Sequence, residues 1–260
     1  MKNRPRNRIL FTYASLRAIT CTLCALFLLA PEVRSQTLTF ARIENSPDQY
    51  IASKLLKQIY QQLNIDIRIR ALPGKRSLLE SSKGLVDGEV QRIYEIGPQY
   101  PDLIRVPTSF IQWKAAVFAK DHDFKINGWH DLQNYKVAMI RGMKYAELGI
   151  LKGSLQRVLV LDDREAMMTA LHMGVVDLAV SSKFSGQLQL KKMGIHTIYP
   201  LSPPLQMGKL YHYLHKKHAT LVPKVDAIIQ AMRSNGELKK LQHTYVSRML
   251  AAVSLSATSE

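Results

Sequence analysis

The chain has 260 residues, of which 47% are hydrophobic, and it carries 36 Lys and Arg against 20 Asp and Glu, a formal net charge of +16. This composition excludes a disordered chain, and the length predicts one or two domains. The two cysteines, Cys21 and Cys24, are too few for a disulfide-framework fold or a Cys-rich zinc module.

Residues 1–35 have the pattern of a secretory signal peptide. Four cations and no acid occupy the first eight residues, and the stretch 18–30 is apolar apart from two threonines. Val33 and Ser35 then stand at the −3 and −1 positions of a small-residue cleavage site. Because the apolar core is shorter than the roughly 18 residues of a membrane span, we predict cleavage after Ser35 and secretion rather than a membrane anchor.

Removing this segment changes the charge. Residues 1–35 hold six of the cations and one of the acids, so the remaining 225 residues carry a net charge of +11 and no cysteine. Such a charge is compatible with binding to nucleic acid, to an anionic surface or to an acidic ligand. It is also compatible with a basic exterior that serves no specific partner. Export, scattered charges and the lack of a nucleic-acid-binding motif argue against nucleic acid, and we expect the basic exterior.

After the signal peptide, predicted strands and helices alternate. A strand at 37–43 precedes Ser46, Pro47 and Gln49, which are typical of the N-cap, first turn and capping box of a helix over 47–63. The other predicted strands are 65–69, 86–92, 137–140, 158–161, 176–180, 195–199 and 209–214, and the other helices are 74–83, about 142–152, 164–173, 184–193 and two separated by Asn235 and Gly236. Residues 251–260 are predicted to be a flexible tail.

The segments 84–90 and 174–180 share the pattern Gly-x-Val-Asp-x-x-Val, each at a predicted helix-to-strand junction. Such corners are common enough to match by chance, but they also fit two α/β lobes built on one plan. The alternation of strands and helices predicts mainly parallel sheets.

Several segments are informative through their order and spacing: the first strand with its long helix, 76–92, 100–107, 129–132, 136–142, 171–177 and 216–245. Together they resemble bacterial extracellular solute-binding proteins of family 3. The resemblance implies an α/β, two-lobed periplasmic-binding-protein fold, in which each lobe is a mainly parallel sheet flanked by helices. It implies lobe 1 at 36–115 plus 207–250 and lobe 2 at 119–204, with hinge crossovers near 111–119 and 205–210.

The resemblance also places a ligand between the lobes, where strand ends and helix N-termini favour anions. The candidate ligand-binding residues there are Arg92, Arg141, Gly142, Tyr145, Trp113, Phe110, Arg76, Glu44, Asn45 and Ser182. For each of them, a surface salt bridge or a packing aromatic is the alternative interpretation. Family members that bind α-amino acids usually carry Thr-x-x-Arg in the segment matching 93–101 and an acid at the position of Ser182. This chain has neither, so we expect a small polar, anionic or carboxylate solute.

The expected function is therefore a periplasmic solute-binding protein rather than an enzyme. Its expected partners are a small molecule and an inner-membrane ABC permease or a sensor, with no nucleic acid, and we expect a monomer without cofactor or metal. An exported enzyme on the same fold, such as a dehydratase, is an alternative that needs a cleft acid or base, for which Glu44 and Glu89 are candidates. A surface receptor module using the basic exterior is another.

Three histidines spaced by three, His212, His215 and His218, invite a metal interpretation. On a strand His212 and His215 would point to opposite faces, and His218 would fall in a loop. We therefore expect solvated histidines rather than metal ligands.

Overall fold

The structure, a computed structural model, describes residues 37–257. The predicted signal peptide at 1–35 lies outside the described residues. Within the described part of the chain, no helix is both long and apolar enough to cross a membrane.

The strands and helices alternate as predicted. The strands are β1 (Leu38–Ile43), β2 (Ile67–Leu72), β3 (Gly88–Arg92), β4 (Leu103–Arg105), β5 (Ile111–Ala119), β6 (Val137–Ile140), β7 (Val158–Leu161), β8 (Leu178–Ser182), β9 (Tyr199–Pro200) and β10 (Gln206–His215). The α-helices are α1 (Pro47–Gln61), α2 (Gly74–Ser82), α3 (Ile96–Gln99), α4 (Lys144–Lys152), α5 (Arg164–His172), α6 (Lys183–Lys192), α7 (Val222–Ser234) and α8 (Glu237–Ala257), with short 3-10 helices at Trp129–Leu132 and Lys216–Leu221.

The strands form one sheet with two parallel halves. Its order is β2-β1-β3-β10-β5-β8-β6-β7, with β4 added to β10 and β9 to β5. Strand β1 pairs in parallel with β2 and β3, and β6 pairs in parallel with β7 and β8. The long strands β5 and β10, antiparallel to each other, join the halves. The predicted α/β class is confirmed.

We use lobe 1 for β1–β4 with α1, α2 and α7, and lobe 2 for β6–β9 with α4, α5 and α6. Strands β5 and β10 overlap the predicted hinge segments 111–119 and 205–210. The exact residue boundaries of the lobes stay a prediction. Helix α8 packs against both α1 of lobe 1 and α6 of lobe 2.

The two Gly-x-Val-Asp segments form the same corner in each lobe. Gly84 and Gly174 both adopt left-handed backbone conformations, with φ of 70° and 71°. The Asp87 carboxylate then accepts the backbone N–H of Thr39 (2.7 Å), and the Asp177 carboxylate accepts that of Lys136 (2.6 Å). Each corner thus ends a helix at a glycine and ties the next strand to its neighbour through an aspartate.

Two segments differ in extent from the prediction. Helix α8 continues to Ala257, into the segment expected to be a flexible tail. Val246 and Met249, in the turns before that segment, pack against the core. The strand expected at 195–199 is reduced to Tyr199–Pro200, which pairs only with the end of β5.

The expectation of solvated histidines is wrong for His212. Its side chain is fully buried, because the ring packs against Phe40 and Tyr60 beside a strand that lies inside the sheet. Nδ1 lies 2.7 Å from the carbonyl oxygen of Glu89 and must donate to it, so Nε2 accepts from the Tyr60 hydroxyl at 2.8 Å. Within residues 37–257, no cluster of His, Cys, Asp and Glu could hold a metal ion.

We predict that His212 makes the protein less stable as the pH falls from about 6.5 to about 4. Burial lowers the pKa of His212 to about 4. Below about pH 6.5 the unfolded chain therefore binds a proton that the folded chain excludes. The decrease in the free energy of unfolding approaches about 3 kcal/mol, because each pKa unit corresponds to about 1.36 kcal/mol. Urea unfolding across this pH range measures it, with His212→Gln compared against His243→Gln on the exposed face of α8. An unchanged pH dependence in His212→Gln would contradict this role.

Candidate functional site

Three adjoining cavities lie between the lobes, where β1, β3, β6 and β8 end and α1, α4, α5 and α6 begin. The central compartment has a volume of about 80 Å³. The mouth compartment, of about 280 Å³, shares Ile43, Met143 and Arg164 with it. The aromatic compartment, of about 480 Å³, shares Ile93, Trp113 and Tyr145 with it. The cleft is therefore one space divided by a few side chains.

Arg92, at the end of β3, is held in the wall of the central compartment by Glu89. Its Nε donates to Glu89 Oε2 at 2.9 Å, and its Nη2 donates to the carbonyl oxygen of Gly74 at 3.2 Å. The other carboxylate oxygen of Glu89 accepts from Ser77 and Ser81, at 2.7 and 2.9 Å. The pair is almost completely buried, so each charge depends on the other for compensation.

Arg164 supplies a second buried guanidinium from lobe 2. It is the first residue of α5, where the positive end of the helix dipole disfavours a cation. Burial lowers its pKa, while the nearby Asp48 carboxylate opposes that change. Nη1 donates to the carbonyl oxygen of Asn45 in lobe 1 at 2.9 Å, and Nε donates to Ser181 at 3.3 Å. This position, unfavourable for helix stability, brings the guanidinium to the cleft.

Asp48 bonds the two lobes together. It lies in the first turn of α1, and its carboxylate accepts from the hydroxyls of Ser182 (2.9 Å) and Ser185 at the start of α6. Ser182, where the family resemblance would place an acid, thus faces a carboxylate supplied from the opposite lobe. With the Arg164–Asn45 bond, these contacts hold the lobes closed. The central compartment is consequently far smaller than the roughly 300–1,000 Å³ of a typical ligand pocket.

Three buried polar atoms in this wall have no hydrogen-bond partner among residues 37–257. They are Gln49 Oε1, Gln91 Oε1 and Trp113 Nε1, on side chains that are at most 8% exposed. Leaving such an atom unpaired costs about 1–3 kcal/mol. All three residues line the central compartment. Two acceptors and one donor are therefore left for a molecule that enters the cleft.

The side chain of Gln49 does not complete the predicted capping box. Ser46 accepts the backbone N–H of Gln49 at 3.4 Å, which is half of that motif. The amide nitrogen of Gln49 instead donates to the backbone carbonyl of Gln91, at 3.1 Å, because β3 lies beside the start of α1. This bond fixes the Gln49 amide with its oxygen unpaired.

The cleft brings together most of the residues predicted from the sequence. Arg92, Trp113, Tyr145 and Ser182 line the central compartment, and Glu44, Asn45, Arg141 and Gly142 line the mouth compartment. Arg141 is exposed and paired with Asp162 at 2.7 Å. Phe110 instead packs in the buried core, and Arg76 pairs with Glu80 on the outer face of α2, so neither lines these compartments.

Sequence reasoning missed several lining residues. They are Asp48, Gln49, Gln91, Lys144, Arg164 and, in the aromatic compartment, Trp129. A signal was available for Arg164, since an arginine directly after an Asp N-cap opposes the helix dipole. For Gln91, a buried amide in a strand that ends at the cleft, the pattern of residues offered none.

The chain matches no protein-family model. A protein of Shewanella oneidensis (strain MR-1), described as uncharacterized, is 26% identical over 211 residues, which are 77% of this chain and 78% of that protein.

Solved structures share the fold. A histidine kinase sensor domain with similarity to periplasmic binding proteins has a TM-score of 0.70 at 16% identity, covering 82% of this chain and 96% of that one. An ancestral arginine-binding protein bound to glutamine has a TM-score of 0.67 at 15% identity, covering 82% and 99%. These likenesses confirm the predicted two-lobed periplasmic-binding-protein fold and agree with the resemblance seen in the sequence.

We predict that Asp48→Ala opens the lobes. Hydrogen bonds to a charged group are worth about 1.5–3 kcal/mol each, so losing two of them should raise the open population more than about tenfold. Spin labels attached through Leu85→Cys and Val175→Cys, at the exposed corners of the two lobes, should report longer and broader distances. Asp66→Ala, at an exposed site before β2, is the matched control. Identical distance distributions in both variants would contradict the assignment.

Proposed function

We propose that this chain is a periplasmic solute-binding protein that captures a small polar molecule between its lobes. The observation that carries the proposal is the set of unpartnered buried atoms on Gln49, Gln91 and Trp113, all in the wall of the interlobe cavity. A solute that pairs with them recovers the cost of their burial. Hinge motion about β5 and β10 would admit and then enclose it.

The charges of the central compartment favour a zwitterionic or uncharged polar group there. Arg92 is paired with Glu89, Lys144 is paired with Glu147 at 3.0 Å, and Arg164 lies near Asp48. Each cation that lines this compartment thus already has a carboxylate nearby, so a simple anion gains little in it.

The expectation of an anionic solute also finds no support in the neighbours that bind arginine or glutamine. One of them is an arginine-binding protein bound to glutamine. A solute with N–H groups for the two glutamine oxygens and acceptors for the guanidinium groups fits the central compartment best.

Delivery to an inner-membrane ABC permease or to a sensor is the proposed downstream step. The likeness to a histidine kinase sensor domain supports delivery to a sensor, and the likeness to an arginine-binding protein supports solute capture for a permease. Both alternatives agree with export to the periplasm, which the predicted signal peptide also favours.

An exported enzyme on this fold has weaker support. Glu89 is fully buried, both its carboxylate oxygens accept hydrogen bonds, and it lines none of the three compartments. It therefore holds Arg92 in place rather than exchanging protons with a solute. Glu44, the other candidate, lies in the mouth compartment without a paired acid or base in its hydrogen bonds.

We predict that Gln91→Leu changes stability and binding in opposite directions. Without solute, the variant should unfold at the same or a higher temperature, because an unpaired buried acceptor has been replaced by an apolar group of similar size. Binding of the solute identified by thermal shift from amino acids, carboxylates, polyamines and peptidoglycan fragments should weaken about tenfold or more, as measured by calorimetry. Gln112→Leu, on an exposed face of β5, is the control and should bind normally.

Two results would contradict the proposal. One is a solute that binds Gln91→Leu as tightly as the natural protein. The other is a folded protein that no solute stabilises, and turnover of an added solute would then favour the enzyme. Binding that disappears with salt, without lobe closure, would favour the surface receptor module.

A further inference from the structure

The aromatic compartment is the largest space in the cleft and lies outside the polar centre described above. Its volume is about 480 Å³, against about 80 Å³ for the central compartment. Both tryptophans of the chain line it, Trp113 and Trp129. Three tyrosines, Tyr94, Tyr145 and Tyr211, complete its aromatic wall.

Each indole lies against a glycine. A Cβ at Gly208, the residue opposite Trp113 in the β5–β10 pair, would come within 2.6 Å of Trp113 Nε1. A Cβ at Gly149 in α4 would come within 2.0 Å of the Trp129 ring. Trp129 is also anchored by its Nε1, which donates to Gln206 at 3.1 Å. Both indole rings therefore pack closely against the backbone at a glycine. This packing fixes the rings in the wall and leaves the aromatic compartment open.

The ring of Trp113 also brings an unsatisfied donor to this wall. Its Nε1 is buried without a partner and lies beside Gly208, which lines the aromatic compartment. Trp113 packs on Tyr145 with ring centroids 4.5 Å apart, and these two side chains divide the aromatic compartment from the central one. A ligand that reaches past them meets aromatic faces and an N–H donor.

The charged groups at the rim favour an acceptor-bearing ligand. Lys152 and Lys209 are exposed and form no ion pair among residues 37–257, and Glu95 is the acid that lines the same space. The rim therefore carries a net positive charge. Together with the indole donor, it attracts a ring with carboxylate or hydroxyl oxygens rather than a cation.

We propose that the aromatic compartment binds a planar aromatic ring of the solute, one that carries an oxygen acceptor or a carboxylate. This inference rests on the proposed solute-binding function and names the chemical class of its ligand. The polar group of the solute would occupy the central compartment and its ring the aromatic one. The solute is then larger than the central compartment alone admits.

The test uses phenylacetate as a probe of the aromatic compartment alone, with cyclohexylacetate and acetate for comparison. Intrinsic fluorescence reports occupancy directly, because both tryptophans stand in the wall. Phenylacetate should quench it saturably and bind about tenfold more tightly than cyclohexylacetate, since a saturated ring cannot stack. Trp129→Leu and, at the exposed rim, Tyr94→Ser should each weaken phenylacetate binding, whereas Tyr199→Leu, on β9, should leave it unchanged.

Each other outcome overturns the inference in a distinguishable way. Equal binding of phenylacetate and cyclohexylacetate would show an apolar pocket without ring selectivity. If neither Trp129→Leu nor Tyr94→Ser weakens phenylacetate binding, the ring binds outside the aromatic compartment. If phenylacetate does not bind while a solute from the thermal-shift screen does, the aromatic site is wrong and the proposed function is retained. If neither phenylacetate nor any screened solute binds the folded protein, the aromatic site and the proposed function are both wrong.

Discussion

The buried carboxylate of Glu89 is the interaction on which the cleft of lobe 1 depends. Its two oxygens join β3 to α2 through Ser77 and Ser81 and fix Arg92 at the cleft wall. Its backbone carbonyl accepts from His212 in β10. Removing the carboxylate would leave a buried guanidinium uncompensated, at a cost of about 3–5 kcal/mol. The shape of the cavity and the stability of lobe 1 therefore have a common origin.

The same connection reaches the first helix. His212 accepts from Tyr60 of α1, the helix whose first turn carries Asp48 and Gln49. The polar groups on the lobe 1 side of the cavity thus stand on elements joined by one buried hydrogen-bonded network. Such networks are rigid when every member is paired. Where this network meets the cavity, Gln49 and Gln91 each carry an unpaired amide oxygen. That contrast separates the groups that hold the fold from those left for a ligand.

Much of the fold could be predicted from the sequence, because the signals were local and repeated. Apolar periodicity predicted the alternating strands and helices. The two Gly-x-Val-Asp corners have the same backbone geometry as well as the same sequence pattern. The site was harder. Arg92 at a strand end and Tyr145 at a helix start were foreseen. Trp113 and Phe110 were both predicted from their position near the first crossover, but only Trp113 of the two lines the central compartment, whereas Phe110 lies in the core.

The missed residues share a physical cause. Asp48 and Gln49 have short-range roles at a helix N-terminus, and the sequence gives no sign that they also meet the other lobe or the neighbouring strand. His212 was misjudged because the position of β10 within the sheet depends on long-range pairing. Contacts between distant segments are set by topology, and a single sequence does not display them.

The most direct test of the account is a crystal structure with the solute that gives the largest thermal shift. We predict that the solute lies between the lobes and donates hydrogen bonds to Gln49 Oε1 and Gln91 Oε1. A solute bound on an outer face, with these two oxygens still unpaired, would contradict it.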